Sequence, residues 1–404
     1  MRYAAITDRL AHLGGAKWEV HIRARAMAAA GVPVLSLSIG EPDVPPPAEL
    51  LARAREAMEA GRYAYSNGRG EPGLLAALAA RYTRRTGRPI GSNQIVCLPG
   101  TQTALFAVML TLVGPGDEVL VGDPMYATYE GVIAATGAVT VPVPLRPEHG
   151  FHLQATDLAA RVTDRTRLIL LNTPHNPTGA VLTRAEVQAI GAVAREHDLW
   201  LLSDEVYEEL IFDGGAFASP LDEATLADRV IAVSSISKSH AAPGFRSGWC
   251  VGPGSFIDRL LPVAETMLFG NQPFIADMTA LAVSQPSLVA QDMALRFARR
   301  ARLIHDMLDG THLRVHQPEA GMFTVVDVRA TGLTGQAFAL GLLDLEHVAV
   351  MPGESFGVGL AGWLRISLTR PDDEIAEACR RIAAYAGRVM EGRVMEGGPR
   401  EIAT

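Results

Sequence analysis

The sequence predicts an α/β fold, a mostly parallel sheet covered by helices, with a second, smaller α+β domain behind it. Three observations carry that expectation. Between Gln94 and Val233 short apolar runs alternate with segments of helical length, the pattern of βαβ units. Short apolar runs spaced by helices mean a mostly parallel sheet with both faces covered. Beyond Gly254 the pattern changes to a long helical stretch followed by short strands with helices between them.

In order, the segment to about Gly31 is rich in Ala and Arg and reads as an arm with one helix. Val34–Ile39 is strand-like and ends at Gly40-Glu-Pro-Asp-Val-Pro-Pro-Pro47, which Gly and Pro hold out of regular structure. Ala48 to Ala60 reads as a helix closed by Gly61. Strands follow at Gln94–Leu98, Glu118–Val121, Ala138–Val143, Arg167–Leu171, Leu199–Leu202 and Val230–Val233. Helices are expected over Thr101–Val113, from near Tyr126, and over Arg184–His197. Phe256–Leu308 reads as helical, then come strands at Leu313–Val315, Phe323–Asp327, His347–Val350 and Trp363–Ser367. The last helix starts at about Asp373 and carries Ile375, Cys379, Ile382 and Ala383 on one face. Gly387-Arg-Val-Met-Glu-Gly392 is repeated at once as Gly392 to Gly397, which reads as a frayed tail.

Bulk properties exclude several classes. The 404 residues are 48% hydrophobic and carry a formal charge of −8, which argues against nucleic acid or an anionic membrane as partner. Cys97, Cys250 and Cys379 are far apart and form no metal spacing, so a reduced cytoplasm is the simplest home. No secretory signal and no stretch of transmembrane length is visible.

Chemistry gathers at four strand ends. Ser234 to Trp249 follows the run Val230–Val233 and packs Ser235, Ser237, Lys238 and Arg246 into a loop. Of 36 basic residues only Lys17 and Lys238 are lysine. Lysine can lose its proton and form a Schiff base, and arginine effectively cannot. Pro99-Gly-Thr-Gln-Thr103 opens a helix whose free N–H groups suit a phosphate, although an ordinary tight turn with a Thr cap has the same pattern. Asn172-Thr-Pro-His-Asn-Pro-Thr-Gly179 is a rigid loop that presents Asn176. Ser203-Asp-Glu-Val-Tyr207 sets a carboxylate after a strand, where it faces a ligand or caps a helix. A phosphate cradle, a carboxylate, an Asn–Tyr pair and a lysine amine together match the needs of pyridoxal phosphate.

These motifs resemble those of the class I/II aminotransferases, fold-type I pyridoxal phosphate enzymes of the aspartate aminotransferase type, over about residues 30 to 385. The resemblance implies a large domain with a seven-stranded sheet (46–290) and a small α+β domain (291–390). Residues 1–45 are an arm and part of the small domain, and 391–404 a tail. It implies that Lys238 bears the cofactor as a Schiff base and moves the substrate proton. Asp204 then partners the pyridine nitrogen, Asn176 and Tyr207 partner the phenolic oxygen, and Tyr126 stacks on the ring. Gly100, Thr101, Gln102, Ser235, Ser237 and Arg246 form the phosphate cradle, and Tyr65 reaches it from the other subunit of a homodimer. Arg365, with Gly40, clamps the substrate α-carboxylate, and the Asn176–Pro177 bond is cis in many relatives. The implied substrates are an amino acid and a 2-oxo acid, with an aspartate/glutamate-type or broad donor and no metal.

Two other readings compete. Gly68-Arg-Gly-Glu-Pro-Gly73 satisfies GxGxxG, but no clean strand precedes it and no acidic residue follows at the expected place for a dehydrogenase. A C–S lyase on the same fold stays open. Dicarboxylate-specific relatives use a further cation, and Thr101-Gln102 and Met267–Phe274 supply none. Lys17, in the arm, is the one candidate for that cation.

Overall fold

The computed structural model describes residues 2–392 apart from residues 12, 14, 269 and 309. Its centre is a seven-stranded sheet. The strands run, edge to edge, Ile95–Leu98, Gly248–Val251, Val230–Ser235, Trp200–Asp204, Thr166–Asn172, Glu118–Asp123 and Val139–Pro144. All adjacent pairs are parallel except the two made by Gly248–Val251, which is antiparallel to both neighbours.

Alternation explains how continuous apolar runs cover two faces. Ile95, Cys97, Leu120, Ile169 and Leu201 join one core with the helices Pro72–Thr86, Arg184–Glu196 and Pro273–Val283. Val96, Leu98, Val119, Leu168 and Leu202 face the opposite way, onto Thr101–Leu112, Tyr129–Thr136 and Gly254–Met267. Successive side chains of a strand point to opposite faces, so both faces must be apolar when both are covered.

A third core packs the helices Leu288–Leu308, Gly335–Glu346 and Asp372–Met390 against a four-stranded antiparallel sheet. That sheet runs Met351–Pro352, Trp363–Ser367, Phe323–Asp327, Arg314–Val315. The strand expected over Val34–Ile39 is only Leu35–Ser36, paired in parallel with Val348–Ala349.

Several expectations need correction. The arm has two helices, Ala5–Leu10 and Glu19–Ala29, rather than one. The second helix of the large sheet begins at Tyr129, not at Tyr126. Ser234 to Trp249 is not all loop. Ser234 and Ser235 end a strand, Ile236–Ser239 is a single helical turn, and Gly248–Val251 is a strand. Its short apolar run between glycines is a strand only because ladder partners flank it on both sides. Phe256–Leu308 is three helices, broken near Pro273, which starts the second, and near Pro286. The first copy of the tail repeat continues the last helix to Met390, where Val389 packs against the third core. The second copy, from residue 393, lies outside the described residues.

Candidate active site

Lys238 sits in the single turn Ile236–Ser239, directly after a central strand, and the Ser235 hydroxyl caps that turn by accepting from Ser237 N at 3.3 Å. The strand end aims the side chain away from the sheet, and its Nζ donates to Gly40 O at 2.9 Å. Burial pulls the amine down to about 8, and Arg365 and Arg246 push the same way against Glu41. Gly40 is glycine because of a neighbour: a Cβ there would lie 2.1 Å from Phe323 Cζ.

Asp204 ends the neighbouring strand and is buried. Its Oδ2 accepts from Tyr129 Oη at 2.7 Å and its Oδ1 from Val206 N at 3.2 Å. Burial raises the carboxyl to about 6, with both hydrogen bonds opposing that rise. Tyr126 packs edge-on against Tyr129, ring centres 5.5 Å apart. One strand further, Asn172 donates to Asp204 O at 3.2 Å and accepts from Asn176 N at 2.8 Å, tying two strand-end loops together. The Asn176–Pro177 bond is cis. Asn176 Nδ2 lies 3.5 Å from Tyr207 Oη, and both residues are buried.

At one end of the cavity Gly100 turns the chain with φ +85° into the helix Thr101–Leu112. A Cβ on Gly100 would stand 2.2 Å from Arg246 Nη2, so the guanidinium lies against the bare turn. The buried Thr101 Oγ1 has no partner among the described residues, and Ser235 and Ser237 are buried beside it in the lining. Gln102 accepts from Thr128 Oγ1 at 2.9 Å.

At the other end Arg365 comes from the strand Trp363–Ser367 of the second sheet. It is 4% exposed and sandwiched by Phe323 at 3.8 Å and Phe356 at 4.5 Å. It donates to Ser38 O at 2.7 Å and to Asn176 Oδ1 at 3.2 Å, and its Nε has no partner among the described residues. Burial pulls its pKa to about 10, against the pull of Tyr207 and Tyr126.

These side chains line one cavity of ≈ 270 Å³. It brings together Gly40, Thr101, Gln102, Tyr126, Asn176, Asp204, Tyr207, Ser235, Ser237, Lys238, Arg246 and Arg365. Gly100 stands behind Arg246. Tyr65 is not brought in; it is 91% exposed on the surface. Lys17 is not brought in either, since its Nζ is paired with Glu130 at 2.5 Å. Trp18 beside it lines the cavity instead. Sequence reasoning missed Tyr129, Asn172 and Phe323. Tyr129 stands three residues after Tyr126 and carried no separate signal, because its bond to Asp204 spans 75 positions.

The donor set fits a phosphorylated pyridine aldehyde. An unpartnered buried hydroxyl at a helix N-terminus, two buried serines and a guanidinium over a glycine turn suit a phosphate. A buried carboxylate suits a protonated ring nitrogen. Three cations against one carboxylate in the described lining leave Arg365, at the far end, for a second anion.

Residues 32–382 match the family described as aminotransferase class I and II. The chain is 45% identical over 392 residues to the arginine–pyruvate transaminase of Pseudomonas aeruginosa, covering 96% of this chain and 99% of that protein. It is 32% identical to an aspartate aminotransferase of Musicola paradisiaca, covering 94% and 96%. Among solved structures, the aspartate aminotransferase of Rhizobium meliloti superposes with a TM-score of 0.91 at 30% identity, covering 96% and 99%.

Proposed function

The chain belongs to the class I and II aminotransferase family and is a pyridoxal phosphate-dependent aminotransferase, and from that premise we propose which of its residues do the work and on what donor. The observation that carries the assignment is Lys238: a half-buried amine with a pKa near 8, at a strand end, between Asp204 and Arg365 in one cavity.

Pyridoxal 5′-phosphate, when bound, supplies an electron sink that acidifies the Cα–H bond of an amino acid. Thr101, Ser235, Ser237, Arg246 and the Gly100 turn would hold its phosphate. Asp204 would hold the proton on the pyridine nitrogen, and Tyr129 keeps that carboxylate oriented. Asn176 and Tyr207 would donate to the phenolic oxygen, and Tyr126 would cover the ring. Lys238 Nζ, with a pKa near the ambient pH, exists in part as the free amine that covalent attachment requires. The same nitrogen would hold and move the proton of the substrate Cα. Arg365, desolvated between two rings and with Nε free, would bind the α-carboxylate and orient that Cα–H bond.

With Arg246, Lys238 and Arg365 so used, no cation remains among the described lining residues for a distal carboxylate. We therefore infer a donor that lacks one. The relative's name makes arginine with pyruvate the first pair to test. The purified holoenzyme is mixed with single amino acids and no acceptor, and the cofactor's absorption spectrum is followed. Arginine should convert it and aspartate should not; failure of every amino acid would overturn the whole assignment.

We also infer a homodimer, since Tyr65 is far too exposed to serve its own cavity and lies near the exposed Tyr63 in sequence. The division into a large domain (46–290) and a small one (291–390) is supported by the seven-stranded and the four-stranded sheets, each covered by its own helices. A cytoplasmic home is supported by three buried, unbridged cysteines.

A further inference from the structure

We propose that Asn271 is a positioning residue for the phosphate end of the cavity, acting through Ser247 on Arg246. The inference rests on reading that end as the seat of a cofactor phosphate. Arg246 lies in the left-handed backbone region, at φ 51° and ψ 55°. That conformation is costly for any residue with a Cβ and persists only where the surroundings over-determine it. Its own Nη1 donates to Pro243 O at 2.8 Å, and the next residue ties the backbone to its surroundings. Ser247 is fully buried, and its carbonyl accepts from Ile236 N at 3.3 Å, in the turn that carries Lys238. Its hydroxyl accepts from Asn271 Nδ2 at 3.0 Å and shares a 2.7 Å hydrogen bond with Thr279 Oγ1. Thr279 is anchored in turn to Ile275 O of its own helix at 2.7 Å.

Asn271 is 1% exposed and lies in the connection between the helices Gly254–Met267 and Pro273–Val283. Its Oδ1 has no partner among the described residues. Burying half an amide unpaired is a cost that an apolar side chain of similar size would avoid, so the donor half is what the site retains. The consequence reaches the cradle directly. Gly248, next along, packs so tightly that a Cβ on it would lie 2.7 Å from Gly100 C, and Arg246 Nη2 covers the same turn. A small rotation of the backbone at 246–248 would move the guanidinium and the Gly100 turn together. Asn271, in a stretch whose sequence offers no cation for a substrate, thus acts on the cofactor end instead.

The test compares two ligands of the apoenzyme prepared from the holoenzyme, pyridoxal 5′-phosphate and the phosphate-free pyridoxal, each titrated by absorbance. Asn271→Leu and Ser247→Ala should each weaken pyridoxal 5′-phosphate by about three- to tenfold and leave pyridoxal unchanged. In an Arg246→Ala background Asn271→Leu should add no further loss. Equal loss for both ligands, no loss for either, or additivity with Arg246→Ala would overturn the inference. Should Asn271→Leu fail to fold, Ser247→Ala carries the same comparison, because it removes one oxygen and leaves the packing. A parent protein that binds no pyridoxal 5′-phosphate would overturn the reading of the cavity and this inference with it, whereas binding by the parent with unchanged variants overturns the inference alone.

Discussion

The two ends of the cavity present their cations in opposite ways. Arg246 is an exposed side chain on strained backbone, set among a glycine turn, a helix N-terminus and buried hydroxyls. Arg365 is almost fully buried in the middle of an antiparallel strand, stacked between two phenylalanines. The first end spreads its hold over many weak donors. The second concentrates it in one desolvated guanidinium, whose loss leaves nothing in its place. Under the proposed assignment, the difference suits a cofactor kept for many turnovers and a substrate exchanged at each one.

Lys238, between the ends, sets the ceiling against which the others are read. Lys238→Ala should lower kcat by at least about 10³-fold, with the cofactor's bound spectrum lost. Below that, Arg365→Ala should raise the donor KM by roughly 30-fold or more, as truncation of one partner of a buried charge pair does. Ser237→Ala at the shared end should weaken the cofactor only about threefold. Steady-state kinetics and cofactor titration check the pair, and equal sensitivities at both ends would break the contrast. Mixing Lys238→Ala and Tyr65→Ala protomers, each nearly inactive, should restore about a quarter of the sites if a dimer shares them. No recovery would place Tyr65 outside the chemistry.

Smaller effects follow from charge. Covalent capture of the cofactor needs a neutral Nζ, so its rate should rise with pH through about 8. Arg365 lowers that pKa and Glu41 raises it. Arg365→Met should therefore move the midpoint up and Glu41→Gln should move it down, as read by stopped-flow absorbance.

The smallest effect is on stability. His152 bonds Glu186 and Glu319, and Glu319 above all raises it to about 9. A folded pKa above the unfolded value of about 6.5 stabilises below that pH and is lost as pH rises through about 9. His152→Gln should cost about 1 kcal/mol or less at pH 6 and nothing near pH 10, measured by urea unfolding.

The end proposed for the cofactor was legible and the end proposed for the substrate less so. Pro99 to Thr103, Asn172 to Gly179, Ser203 to Tyr207 and Ser234 to Gly248 are each contiguous, and each announces itself by turn residues after an apolar run. Arg365 was marked only by apolar flanks and by resemblance, and nothing near it in sequence announces Phe323 or Ser38. Lys17 illustrates the opposite error. Its rarity suggested a substrate contact, yet Glu130, 113 positions away, holds it.

What the sequence by itself determined is the set of strands buried on both faces, the loops at their ends and the amine that ends one of them. Those follow from local composition, since periodicity and turn chemistry act within a dozen residues. Tertiary structure alone decided that Gly248–Val251 slots antiparallel into the sheet, that Tyr129 holds Asp204, and that Arg365 lies between two rings in the cavity that Lys238 lines. Each depends on partners far along the chain, and a side chain's pKa and reach are set by those partners, not by its neighbours in sequence.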